Sequence, residues 1–347
     1  MQHKQHHGKG TGMGLIEVLC NAYGPTGREH RVRGIIEKEL KGLCSDVYTD
    51  RLGNLIAHRP AKSKRGQKIM LCAHMDEIGL IVTYIDKNGF LRFTNVGGVF
   101  AERVPYQRVV FENGTTGIVG IEPSKDESKS SGRPKFESMF IDVGARDRES
   151  VQRKVRVGDI ASFSQQLVFI NKKCIAGKAI DDRIGCYCLI EVAKRLKKSI
   201  HDIYFVFSVQ EEVGGRGART GAYAIEPAYA LAVDVTDTGD TPEAYKMQVS
   251  VGKGVAIKVK DSGFITNPII MDKLAEYART LSIPHQFEIL EHGSTDAAFI
   301  QLVKGGVMSG VLSIPTRYIH STSEVCDLDD VNGTVELLAH VCEKGLD

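Results

Sequence analysis

Five short stretches of this 347-residue chain combine acids and histidines in ways that suit chemistry. His74-Met75-Asp76 follows directly on an apolar run that ends at Ala73. Residues two apart on a strand share one side. Asp76 can therefore hold one ring nitrogen of His74 while the other faces a metal ion. Standing alone, such a pair is as readily a surface feature of a strand end. Asp181-Asp182 precedes a long helical pattern. The dipole of a helix favours acids at its start, which accounts for one of the two better than for both. A carboxylate with two oxygens can also bridge two cations. Glu211-Glu212 closes a second apolar run, where adjacent acids are costly unless a positive charge balances them. Neighbours on a strand point apart, so one can serve as a ligand and the other as a base. Asp234 sits inside the apolar run Leu231–Val235, a place for a carboxylate that is either hydrogen-bonded or metal-bound. His320 ends the stretch Ile314–His320 and by itself reads as structural.

The elements around these residues give them a common address. The runs 68–73, 203–209 and 229–235 read as buried strands, and 183–198, 268–281, 295–303 and 328–344 as helices. Four of the five stretches lie at or just after the end of an apolar strand, and Asp181 opens a helix. In an open α/β sheet such ends converge on one crevice. Imidazoles and carboxylates together suit zinc, cobalt or manganese. Between residues 79 and 168 the texture changes to short glycine-broken β runs, which predict a small β-barrel or sandwich. The expected organisation is a catalytic α/β domain, with a mixed sheet and helices on both faces, from 14–78 and 169–347. The β domain 79–168 is inserted within it. The polar stretch 124–132 is expected to be a mobile surface loop. Residues 1–13 read as an appended extension without fixed structure.

Composition narrows the function. A net charge of +2 gives no reason to expect nucleic acid or an anionic membrane surface as a partner. No apolar run is long enough to span a bilayer. The eight cysteines form no C-x-x-C pair and sit mostly in apolar runs, the pattern of reduced thiols, so a cytoplasmic location is expected.

Ordered matches along the chain carry a resemblance. They are Asn21–Glu29, Ala73–Gly79, Gly177–Arg183, Gln210–Gly214, Val233–Thr236, Gly252–Gly254, Ser294–Ala297 and Ile314–Ser321. In these segments the sequence resembles the tetrahedral-assembling dinuclear aminopeptidases, called glutamyl aminopeptidases or, misleadingly, cellulase M. The resemblance implies a zinc-exopeptidase fold and two divalent ions per subunit, zinc or cobalt, with manganese an alternative. It implies His74 and Asp234 as ligands of one ion, Glu212 and His320 as ligands of the other, and Asp181 as the bridge. It gives Asp76 the task of orienting His74 and Glu211 that of general base, and it implies a cis peptide between Asp181 and Asp182. The β insert resembles the family's dimerisation domain, and dimers assembling into a dodecamer follow from that. The expected reaction is removal of the N-terminal residue from short peptides. Deacylation of an N-acyl amino acid is the alternative, and glycoside hydrolysis a more distant one, in a chain that lacks Trp. The sequence departs from the family at Ile180, commonly Phe, at Val255, commonly Pro, and at His292-Gly293-Ser294, where smaller residues are usual. The last change bears on substrate preference.

Overall fold

The structure, a computed structural model, describes residues 13–63, 65–123 and 133–346. The expectations for residues 1–12 and for the 124–132 loop lie outside the described residues. Two helices, α1 (Met13–Asn21) and α2 (His30–Leu40), lead into a hairpin of β1 (Asp46–Thr49) and β2 (Leu55–Arg59), followed by β3 (Lys68–His74). The chain then leaves the sheet. It builds β4 (Gly79–Ile85), β5 (Leu91–Val96), β6 (Arg108–Phe111), β7 (Thr116–Ile121), β8 (Met139–Asp142), a short α3 (Arg148–Gln152) and β9 (Ile160–Phe163). It returns through β10 (Val168–Phe169), β11 (Cys174–Gly177), α4 (Ile180–Arg195), β12 (Asp202–Ser208), α5 (Arg216–Ile225) and β13 (Tyr229–Thr236). The last part comprises β14 (Val255–Lys260), α6 (Pro268–Thr280), β15 (His285–Ile289), α7 (Asp296–Ile300), β16 (Met308–Arg317), β17 (Glu324–Asp327) and α8 (Leu328–Lys344).

The main sheet is mixed, in the order β1-β2-β12-β3-β13-β16-β17-β11-β10, with β14 and β15 attached beside β16. Its centre is parallel: β12, β3, β13 and β16 run the same way. These strands are apolar nearly throughout because both faces are covered. On one face α1, α2, α4, α6 and α8 bury Leu19, Ile36, Ile184, Leu274 and Leu338 against Leu71, Phe205 and Leu231. On the other, α5 and α7 pack Ala218, Ala222 and Ile300 on Met70, Cys72 and Val206. The fold expected from sequence, a mixed sheet with helices on both faces, is the one observed.

Strands β4 to β9 close into a six-stranded barrel, order β4-β5-β8-β7-β6-β9, around Leu80, Val82, Phe93, Val109, Val119, Ile141 and Phe163. The barrel, rather than the sandwich, is the form the β-rich stretch takes. Other differences from the sequence reading are local, and helix α4 ends at Arg195, short of the predicted Lys198. Helix α7 ends at Ile300, short of the predicted Val303, because residues 301–304 fold as turns. Strands β14 and β15 form a parallel pair that the apolar pattern did not announce; β14 carries a buried Lys258 paired with Glu288 inside it.

Candidate active site

Each of the chemically suited side chains sits where the parallel strands end or a helix begins. His74 is the last residue of β3, and Glu211 and Glu212 follow β12. Asp234 lies near the end of β13, His320 follows β16, and Asp181 opens α4. His74 Nε2 lies 3.0 Å from Asp181 Oδ1 and 3.9 Å from Asp234 Oδ1. His320 Nε2 lies 3.3 Å from the other oxygen of Asp181, Oδ2, and 3.3 Å from Glu212 Oε2. The two oxygens of Asp181 thus face two imidazoles, each imidazole with a further carboxylate beside it. Donor atoms of Asp181, Glu212 and His320 all lie within 4.8 Å of one another, as do those of His74, Asp182 and Asp234. Glu211 Oε2 stands 4.0 Å from His74 Nε2. The Asp181–Asp182 peptide is cis.

Asp182 has work of its own. Its Oδ2 accepts the backbone N–H of His74 at 3.1 Å and its Oδ1 that of Gly185 at 3.0 Å. A Cβ at position 185 would stand 2.3 Å from that carboxylate, so glycine is required there. Asp76 is placed differently from the simplest sequence picture. The nearest partner of His74 Nδ1 is the Asp76 carbonyl at 3.1 Å, with the Asp76 carboxylate at 3.6 Å. That carboxylate accepts the N–H of Glu211 at 3.0 Å, the N–H of Glu212 at 3.3 Å and the Thr26 hydroxyl at 2.8 Å. Asp76 therefore ties the strand carrying His74 to the turn carrying both glutamates.

Glu324 escaped the sequence reading. Only 2% exposed, it accepts the N–H of Asp181 at 3.0 Å on one oxygen and that of His320 at 2.9 Å on the other. It holds in register two backbone segments from distant parts of the chain. The spacing from His320 carried no signal, because its partners are backbone groups. Behind α4, Arg183 donates to the carbonyls of Leu19, Ala22 and Gly24 at 2.7, 3.2 and 3.1 Å. Glu77 joins this buried network through Lys178 at 2.6 Å and Arg183 at 3.3 Å.

The electrostatics are those of a site built for cations. Asp181, Asp182, Glu211, Glu212 and Asp234 crowd around two imidazoles. Burial first, then neighbouring carboxylates, pushes Glu211, Asp234 and Asp182 well above the usual carboxylate range. Burial works against a charged His320, yet Glu212 and Asp181 hold it up at about 12. His74 is likewise raised, against burial, by its bonds to Asp181 and Asp76. Five acids outnumber the two imidazoles among them, and such an excess calls for further positive charge. Carboxylate oxygens with one imidazole on each side form a donor set fitted to divalent ions of borderline hardness.

The site opens into a cavity of about 600 Å³ whose walls include Phe100, Arg103, Asp237, Leu290, His292 and Phe299. His292, from the stretch that departs from the family pattern, lines this cavity. His292 Nε2 lies 3.2 Å from Asp237 Oδ2, so an acid accompanies it.

Known proteins resemble this chain over nearly its whole length. Residues 53–337 match the sequence profile described as M42 glutamyl aminopeptidase. A protein of Acetivibrio thermocellus is 46% identical over 324 residues, 93% of this chain and 96% of that one. The lysyl aminopeptidase of Pyrococcus furiosus is 37% identical, with 95% of this chain and 96% of that enzyme covered. The Pyrococcus horikoshii TET1 peptidase, whose structure is described as able to assemble into a tetrahedron or a large octahedral shell, superposes with a TM-score of 0.87. It is 30% identical, over 96% of this chain and 100% of that one.

Proposed function

The chain belongs to the M42 glutamyl aminopeptidase family and is a metal-dependent aminopeptidase, and on that premise we propose which residues perform the reaction. The proposed ligands are His74 and Asp234 for one divalent ion and Glu212 and His320 for the other, with Asp181 shared and Glu211 as general base. Zinc or cobalt is the proposed metal, with manganese the third choice. One observation carries the assignment: the two oxygens of a single carboxylate, Asp181, lie 3.0 and 3.3 Å from imidazoles that arrive from opposite ends of the chain.

When bound, such a metal pair polarises the scissile carbonyl and lowers the pKa of water towards neutrality. The protein's own groups do the rest. Glu211 takes a proton from the attacking water, whose oxygen adds to the carbonyl carbon. As the C–N bond breaks, Glu211 returns the proton to the departing amine. Asp76 fixes the backbone from which Glu211 and Glu212 project. The free α-amine of a peptide end fits the carboxylate-rich end of the cavity; an internal peptide bond offers no such group. Short peptides are the proposed substrates, entering through the cavity. The barrel is the proposed dimerisation domain, with dimers assembling into a tetrahedral dodecamer, a reading supported by the tetrahedron described for the horikoshii peptidase. A cytoplasmic location is proposed: all eight cysteines are free, and no helix among the described residues is long and apolar enough to cross a membrane.

Glu211→Gln tests the assignment, because it keeps the shape and removes the basicity. The expected result is unchanged metal content with aminoacyl-anilide turnover reduced about 10²-fold or more. Near-normal turnover rejects Glu211 as base. Cleavage of N-blocked in preference to free peptides would favour the deacylase instead.

A further inference from the structure

The barrel touches the site it was inserted beside. Strand β5 ends at Val96, and Gly97-Gly98 then lies directly against Glu212 and His320. A Cβ on Gly98 would stand 2.5 Å from His320 Nδ1 and 2.6 Å from Cε1. One on Gly97 would stand 2.9 Å from Glu212 Oε2. Real Cβ atoms do not approach so closely, so only a pair of glycines lets the backbone lie flat on these two side chains. Gly97 also sits at φ +78°, open to glycine and rarely to other residues. The amide of Gly98 is 3.5 Å from Glu212 Oε2.

Five residues on, the barrel makes a second contact. Arg103 lies over the ring of Phe100, 4.3 Å from its centroid, and Nη1 donates to the carbonyl of Ile319 at 2.6 Å. Ile319 is flanked by Tyr318 and His320, both non-glycine residues at positive φ, +61° and +60°. Such a backbone persists only where its surroundings hold it. Glu324 holds it from the sheet side and Arg103 from the barrel side.

We propose that Gly97, Gly98 and Arg103 are positioning residues: the barrel forms one wall of the Glu212–His320 half of the centre and fixes the geometry of those two ligands. The inference rests on the two-ion reading above. It gives the inserted domain a role within its own subunit, apart from any in assembly.

Gly98→Ala is the direct test, since Gly98 does not need positive φ and the three atoms nearest the added methyl all belong to the His320 ring. Gly305→Ala, where a Cβ meets nothing within 4 Å, is the control. Arg103→Ala removes the second contact without adding bulk, so a misfolded Gly98→Ala protein does not end the test. Each protein is loaded with zinc and titrated with a competing chelator, with metal content by elemental analysis and thermal midpoints alongside. The expected result is that Gly98→Ala and Arg103→Ala each weaken one of two bound ions about 10- to 100-fold. The other ion and the midpoint of the metal-free protein should match the control. Two ions held with unaltered affinity in both variants overturn the inference. Loss of both ions in parallel also overturns it, because a wall specific to one half would not do that. His320→Ala separates the two levels: if it too leaves two ions bound, the ligand assignment itself has failed.

Discussion

Replacing Glu324 by Gln removes one acceptor from a carboxylate that serves two backbone donors. In the native chain its oxygens accept from Asp181 at 3.0 Å and from His320 at 2.9 Å, in a position only 2% exposed. An amide keeps one acceptor oxygen and turns an NH2 towards the other backbone N–H. Leaving one buried backbone donor unsatisfied costs about 1–3 kcal/mol. If that cost falls on the geometry of the ligand pair, it lowers metal affinity about 10- to 100-fold. Residues behind metal ligands commonly act over the same range. The assay is chelator competition on the zinc-loaded protein, with kcat and KM measured at saturating zinc. The expectation is weakened metal binding with most activity recovered when zinc is in excess. Native affinity in Glu324→Gln, with stability lowered or not, would refute the claim that this carboxylate sets the spacing between Asp181 and His320.

The buried network behind α4 predicts a pure stability effect. Lys178→Met leaves Glu77 with Arg183 as its one cationic partner among the described residues, and a loss of about 3 kcal/mol is expected, read as a lower urea midpoint with an unchanged slope. An unchanged midpoint would show that Arg183 alone satisfies Glu77. Asp240 predicts a pH effect. Burial raises its carboxyl, but the bidentate pair with Arg317 and the Thr238 hydroxyl outweigh this and hold it below its ordinary value. Its folded-state pKa is depressed, so its stabilisation is complete above about pH 4, the unfolded value, and fades as pH falls through the folded value. Asp240→Asn should therefore melt lower than the native chain at pH 7, with the gap closing in acid. A gap that stays constant from pH 7 to pH 2 would show that charge is not involved.

His74, Glu212 and Asp234 were legible as candidates because a polar or charged residue within or at the end of an apolar run such as Lys68–Ala73 is anomalous, whereas Asp181 and His320 drew notice only in the company of the others. The parallel order of β12, β3, β13 and β16 then brings those ends together. A small β domain was legible from short glycine-broken β runs, but not its closure into a barrel rather than a sandwich. What stayed hidden has a common physical form. Glu324, Asp182 and the carboxylate of Asp76 act on backbone N–H groups, which every residue carries and no sequence pattern marks. The Gly97-Gly98 contact was hidden for the converse reason: what matters there is a side chain that is missing. Strand β14 went unread because Lys258 interrupts its apolar run, and the partners that make a buried lysine tolerable, Glu288 and Asp261, lie elsewhere in the chain.

The position of the barrel between β3 and α4 also sets the order in which the polypeptide can organise itself. Strands β4 to β9 are contiguous and pair among themselves, so the barrel can close as soon as its own residues leave the ribosome. Strand β3 must wait, because its neighbours β12 and β13 are made only after the whole insert. Until then His74 and Asp76 hang from an unpaired apolar segment next to a finished barrel. A chain truncated near residue 200 should therefore contain a folded β unit and no competent centre, since the proposed ligand His320 and its partner Glu324 arrive last, with β16 and β17.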